Sequence, residues 1–205
     1  MQCAMHAPAQ AVLEFWLGDA LELGWPSQDS GPLWFGGGAA LDRDIESRFG
    51  HLVRDACAGG LVSWEGRPLD RLALVILLDQ FSRNVFRGQA QAFAGDTRAQ
   101  ALVMDALAHC WDRQLPLAGR AFLYMPLEHA EVLALQQECV RRFATLVAEA
   151  APQCLDALQG HLKYAQMHHD IIARFGRFPH RNAVLGRTST AQEQEFLLDG
   201  PRFGQ

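Results

Sequence analysis

A chain of 205 residues, 49 % hydrophobic and 20 % charged, is long enough to bury a sizeable core and fits one domain over residues 1–205. Its formal net charge is −5, and Lys163 is its one lysine. With no basic stripe this argues against nucleic acid as a partner, because gripping a phosphate backbone needs a local excess of cations.

The first predicted element is a helix from about Ala9 to Leu17. A loop rich in Gly, Pro and Ser follows, and its Trp25, Trp34 and Phe35 should fold back onto the body. "AALDRDIESRFGHLVRDACAG" repeats apolar residues at three and four, as an amphipathic helix does, and stops at Gly59 and Gly60. Pro68 opens the next helix, where its missing N–H costs nothing. Its run Leu72 to Leu78 is apolar all round and predicts a central, buried segment. That run is also the longest apolar one, far short of the roughly 20 residues a bilayer span needs, so no membrane partner is expected. Asp96 reads as the N-cap of a helix through about Trp111. Pro116 and Pro126 bracket a short turn of helix. Two long helices follow, from about Leu127 to Glu149 and from about Pro152 to Phe175, the second closed by Gly176. "TAQE", Thr190 to Glu193, fits a capping box before a last helix. Strand patterns are almost missing, no strict repeat of about 34 residues occurs, and the fold class expected is all-α.

The five cysteines, Cys3, Cys57, Cys110, Cys139 and Cys154, form no CxxC and are odd in number. They read as reduced thiols, and with no secretory signal in "MQCAMHAPAQ" the expected location is cytoplasmic.

Polar groups sit on inward faces in three places. After the apolar run come Asp79, Gln80, Arg83, Asn84 and Arg87, which on an α-helix share one arc of about 140°. The bland reading is a solvated face with one salt bridge; the other is a buried patch, since these residues continue the most apolar helix. In "LEHAEVLALQQECVRRFATLV" the apolar face of Val132, Cys139, Val140, Phe143, Leu146 and Val147 also takes His129 and Gln136, with Glu128 at its edge. In "KYAQMHHDIIARFG" His168 shares a face with Tyr164, Ile172 and Phe175, while Asp170 and Arg174 read as a surface ion pair. Pro179 then stiffens a loop carrying His180, Arg181 and Asn182, which are expected to face a shared polar cavity.

The motifs "LLDQFSRNVFRG", "FLYMPLEHAE" and "RFGRFPHRN" resemble the bacterial family called Domain of Unknown Function nine-two-four. The resemblance runs from about "EFWLG" to "FLLDGPRF". It implies a tetratricopeptide-like helical array, an antiparallel α-α superhelix, and no established activity. Its signature positions fall here on Asp79, Gln80, Arg83, Asn84, Arg87, His129, Arg177, Pro179, His180, Arg181 and Asn182. Ser82 departs from the proline common in the family, which softens the local helix geometry and leaves the polar arc intact.

Several chemistries find no support in the spacing. A metal held by His129, His168, His180 and a carboxylate is the candidate to weigh, but there is no HExxH, and arginines beside the histidines disfavour a cation, so neither a metal nor a cofactor is expected. No GxSxG elbow and no phosphate-cradling glycine loop occur; "FGGGAA" is a turn before a helix. What remains is a small anionic ligand, a carboxylate or phosphate, held by Arg83, Arg87, Arg177 and Arg181, with His129 and His180 as acid or base. Asp79, Gln80, Asn84, Gln136, His168 and Asn182 complete that candidate site. A peptide-binding scaffold that takes a C-terminal carboxylate and a purely structural network stand as alternatives. The charge argument for an anion is that these four arginines outnumber Asp79, unless other acids fold over them.

Overall fold

The computed structural model describes residues 5–201 and Phe203; the expected thiol Cys3 lies outside them. Every regular element among the described residues is helical. The four described cysteines are free. No helix among the described residues is long and apolar enough to cross a membrane.

The first helix, α1 (Ala7–Leu17), carries Pro8 in its first turn and ends where Gly18 takes a positive φ of 53°. The loop after it holds two short helices the sequence did not show, α2 (Ala20–Leu23) and α3 (Gly31–Trp34). Its aromatics do fold back. The Trp34 indole N–H donates to the Trp16 carbonyl at 2.8 Å, and its ring meets Phe122 at 4.9 Å between centres. Helix α4 (Ala39–Cys57) buries Ile45, Phe49, Val53 and Ala56, the stripe its periodicity predicts.

Helix α5 (Pro68–Ile76) is the centre of the molecule. Residues 72–78 are fully buried, and α5 packs on α1, on α7 (Asp96–Ala108) and on α8 (Leu117–Glu128). Past Ile76 the chain departs from the expected α-helix. Leu77–Phe81 makes one π turn, in which Ser82 N–H reaches back five residues to the Leu77 carbonyl, before α6 (Ser82–Val85) resumes. The extra residue in that turn shifts the arc from Asp79 to Arg87 out of simple α register. Ser82, in the proline position of the family pattern, is buried and its hydroxyl donates to the Leu78 carbonyl at 2.7 Å.

Three expected boundaries are corrected. Asp96 is not the N-cap of α7: Gly95 is, and the Asp96 carboxylate points away to arginines instead. That helix stops at Ala108, because Cys110 adopts a left-handed φ of 55°, and Trp111–Gln114 is a separate 3-10 turn. The segment between the two prolines is not a short turn but the twelve-residue α8, with Pro116 as its N-cap and Pro126 inside its last turn. So the helix expected from Leu127 is really α9 (Leu133–Glu149). His129 terminates α8, and Val132, placed on the apolar face from the sequence, is 51 % exposed.

Helix α9 packs between α8 and α10 (Pro152–Phe175). Gly176 closes α10 in the left-handed region, as the sequence predicts. The expected Asp170–Arg174 pair is not made: Asp170 faces His169, and Arg174 lies over the rings of Phe175 and Phe196. Pro179–Arg181 forms a 3-10 turn, and α11 (Ala191–Asp199) carries the predicted Thr190/Glu193 capping box.

Candidate functional site

A cavity of about 790 Å³ opens where the α2–α4 loop, the end of α8, the middle of α10 and the Pro179–Arg181 turn meet. One side is aromatic, with Trp16, Trp25, Trp34 and Phe35. The opposite end is polar. The π turn and α6 bring Gln80, Arg83, Asn84 and Arg87; the end of α8 brings Glu128 and His129. Helix α10 adds His161, Tyr164 and His168, and the 3-10 turn adds His180 and Arg181. Stopping α8 at His129 is what places Glu128 and His129 at the cavity. That stop is held by Gln136, fully buried on α9, whose amide nitrogen donates to the carbonyls of Glu128 and Ala130.

The polar end is a continuous network. His129 Nδ1 lies 2.8 Å from Asp79 Oδ1, and since a carboxylate only accepts, Nδ1 carries the proton. Asp79 also accepts from the Gln80 amide at 2.5 Å and has Arg83 at 3.5 Å. Arg83 donates to the Asp79 carbonyl at 2.7 Å and meets Asp96 at 3.1 Å. Asp96 in turn takes Arg181 at 3.4 Å, and Arg181 reaches the His129 carbonyl at 3.1 Å. Arg87 forks onto Asp42 at 2.7 and 2.8 Å, and Asn84 joins it there at 2.9 Å. His168 Nδ1 donates to the Tyr164 carbonyl at 2.9 Å, with Glu128 Oε1 3.1 Å away.

A family of bacterial proteins of unknown function, DUF924, matches residues 12–201. The chain belongs to the DUF924 family. Its fold is similar to that of a protein of unknown function, ATU0120, from Agrobacterium tumefaciens, at 34 % identity and a TM-score of 0.77, over 95 % of this chain and 98 % of that one. No curated protein matches.

In this DUF924 protein, eight of the sequence-predicted residues line one cavity: Gln80, Arg83, Asn84, Arg87, His129, His168, His180 and Arg181. Asp79 stands directly behind His129 and Arg83 and is fully buried. The other three are elsewhere. Gln136 braces the α8–α9 turn rather than facing the cavity. Arg177 forks onto Glu193 at 2.6 and 2.8 Å, and Asn182 bonds Ser189 and Glu193, so both fasten the C-terminal segment. Their partners arrive from α11 and from the residues just before it, which no local spacing reveals.

The charge argument is overturned as well. Acids do fold over the arginines: Asp96 on Arg83 and Arg181, Asp42 on Arg87 and Glu193 on Arg177. Nothing singles out Asp42 in its amphipathic helix and Asp96 reads as a cap, so neither is expected here. The DUF924 cavity also recruits Trp25 and Trp34, expected only to fold back onto the body, and Trp16 and His161, which nothing in the sequence pattern singles out.

Burial sets the protonation states. Asp79 is pushed up by burial, but His129 and Arg83 beside it and hydrogen bonds from His129 and Gln80 hold it well below the usual carboxylate range. Burial lowers His129, with Arg83 and Arg181 adding to it against Asp79, so the stable pairing is a neutral imidazole on an ionised carboxylate. Burial brings His168 down to about 3 and His180 down to about 4. Glu128 goes the other way, pushed up to about 8 by burial and by the nearby Asp79.

Replacing Gln136 tests how the site is braced. Gln136→Leu leaves two buried carbonyls without donors, at a cost of about 1–3 kcal/mol for each unsatisfied group. A denaturant titration is expected to show a loss of that order. An unchanged midpoint would mean that the amide does not hold the turn.

Proposed function

We propose that this cavity binds a small molecule with an aromatic or otherwise apolar body and an anionic head, a carboxylate before a phosphate. The observation that carries the reading is a set of spare donors. Arg83 Nε, Arg181 Nε and Trp16 Nε1 are buried on residues that line the cavity and have no acceptor within the protein. Buried N–H groups normally find a partner, and three of them on residues that line one cavity suit an acceptor-rich head that reaches them after a small side-chain shift. The arginines thus recruit the ligand through unused N–H groups, not through surplus charge.

The volume of about 790 Å³ falls within the range of small-molecule sites, which favours such a ligand over an extended peptide. Trp16, Trp34 and Phe35 supply the surface for the apolar body. His129 and His180, neutral near pH 7, are the proton-accepting groups of the site. The tetratricopeptide-like arrangement of one domain belongs to the same proposal, supported by the succession of packed helices α8, α9 and α10. So does a cytoplasmic location, in keeping with the free cysteines.

The test compares acids with their amides. Benzoate, indole-3-acetate and short aliphatic carboxylates are titrated against the protein, next to their uncharged amides and to inorganic phosphate. Tryptophan fluorescence and melting temperature are read together. The acids are expected to quench the fluorescence and raise the melting temperature, and Arg181→Gln to weaken that response at least tenfold. A panel in which no acid binds, or in which amides bind as well as acids, overturns the reading.

A further inference from the structure

One corner of the cavity has its own chemistry, and it stands on an observation separate from the spare donors. Among the described residues, Glu128, His129 and His168 can each offer one ligand atom, and the three atoms lie within 4.8 Å of one another. Both imidazoles are set in a tautomer that can bind a metal. His129 gives its Nδ1 proton to Asp79, and His168 Nδ1 lies 2.9 Å from the Tyr164 carbonyl and 3.1 Å from Glu128 Oε1, so the lone pair of each ring is on Nε2 and Glu128 turns from the Nδ1 edge of His168 to complete the set. An imidazole oriented through its other nitrogen by a carboxylate or a carbonyl is the usual outer support of a metal-binding histidine. The two ring centres are 5.9 Å apart at an interplanar angle of 67°. Two imidazoles on one tetrahedral ion, with metal–nitrogen bonds of about 2 Å, place their ring centres roughly 5 Å apart, so a small adjustment closes the site.

Glu128 supplies the second observation. It is 3 % exposed, lines the cavity, and its Oε2 has no hydrogen-bond partner within the protein. The surrounding charges leave it as the odd one out. Arg83 and Arg181 are matched by Asp79 and Asp96, and Arg87 by Asp42. Where the sequence suggested a surplus of cations, the folded corner holds two guanidiniums against three carboxyl groups. A buried carboxylate in that setting needs a proton or a cation.

We infer that Glu128, His129 and His168 form a binding site for one divalent transition-metal ion of the zinc or iron(II) kind, with its remaining positions open to the cavity. Two imidazoles and a carboxylate are borderline ligands that suit such ions better than calcium or magnesium. Three protein ligands leave room for water or a bound molecule. Asp79 holds His129 from behind and is a positioning residue. No HExxH announces the site because its ligands come from the last turn of α8 and from the middle of α10.

The test uses protein stripped with a chelator and then titrated with cobalt(II) or zinc chloride, with no organic acid present. The expected result is one ion per chain, with cobalt visible bands of a four- or five-coordinate site and a rise in melting temperature. Glu128→Gln and His168→Ala are each expected to weaken binding at least a hundredfold, and Asp79→Asn about 10–100-fold. Glu128→Gln removes the carboxylate ligand without changing the side-chain volume, so it keeps the test decisive if His168→Ala fails to fold. Failure to bind one ion per chain, or binding unchanged in Glu128→Gln, overturns the inference, the latter by marking an adventitious surface site. Because no carboxylate ligand is used, failure here leaves the acid-against-amide comparison intact.

Discussion

Arg83→Met is expected to cost about 3–5 kcal/mol, the range for removing one partner of a buried ion pair. Arg83 is held at four points: the carbonyls of Asp79 and Ala92, and the carboxylates of Asp79 and Asp96. Methionine keeps most of the volume and removes a cation from both acids, leaving Asp79 with His129 and Gln80. Asp96 keeps only the longer contact to Arg181 at 3.4 Å, so two cations no longer share it. In a chain of this length each kcal/mol moves the melting temperature by about 2–4 °C, so a fall on the order of 10 °C is expected. His180→Ala is the contrast. Among the described residues His180 Nδ1 has no hydrogen-bond partner, and its ring packs on those of Phe178 and Phe203 at 5.5 and 5.6 Å between centres. That variant should lose far less, about 1 kcal/mol or below, by the usual measure of a half-exposed side chain. Equal melting temperatures for Arg83→Met and the parent chain would show that Arg83 is no staple.

Stability is also expected to peak near about pH 6.5, the ordinary value for a histidine, and to fall on both sides. On the acid side, burial holds His161 and His180 down at about 4 and His168 at about 3. Between those values and pH 6.5 the unfolded chain binds protons that the folded chain refuses, so stability is lost as the pH falls. On the alkaline side, burial and Asp79 push Glu128 up to about 8 from 4.5. Between pH 4.5 and 8 the folded chain keeps a proton that the unfolded chain has released, so stability is lost as the pH rises. Below pH 6.5 three histidines outweigh one glutamate; above it the glutamate acts alone. Each group contributes up to about 1.4 kcal/mol per pH unit inside its window. Denaturant melts at pH 5, 6.5 and 8, run with a chelator, should show the maximum in the middle. Glu128→Gln should abolish the alkaline decline and leave the acid one. An unchanged alkaline slope in that variant would mean that Glu128 is ionised in the folded protein.

Much of this architecture was legible in the chain. The stripe of α4, the central run Leu72 to Leu78, the extent of α10 and the Thr190 capping box all rest on neighbours within four residues, and periodicity reads such neighbours directly. The inward face of His168 was legible for the same reason, whereas His129 was placed inward on a helix that begins only at Leu133, and what brings it to the cavity is the end of α8. What misled the reading was also local. Pro126 looks like a helix start but sits in the last turn of α8, and Asp96 looks like a cap but answers to arginines thirteen and eighty-five residues away. A single π turn then rotates everything after Leu77, and no spacing in "LLDQF" announces it.

The sequence by itself determined that the protein is helical, that its centre is α5, and that its polar residues gather near "LLDQFSRN", "LEHAE" and "FPHRN". Only the tertiary structure decided what those residues do to one another. Charges act through space, and the acids that neutralise Arg83, Arg87 and Arg181 come from α4 and from the start of α7. Burial then fixes which of them carry a proton, because the cost of a charge depends on everything packed around it. That is why a corner that reads as an arginine cluster along the chain becomes, once folded, a pair of neutral imidazoles beside a buried glutamate with one oxygen left unpartnered.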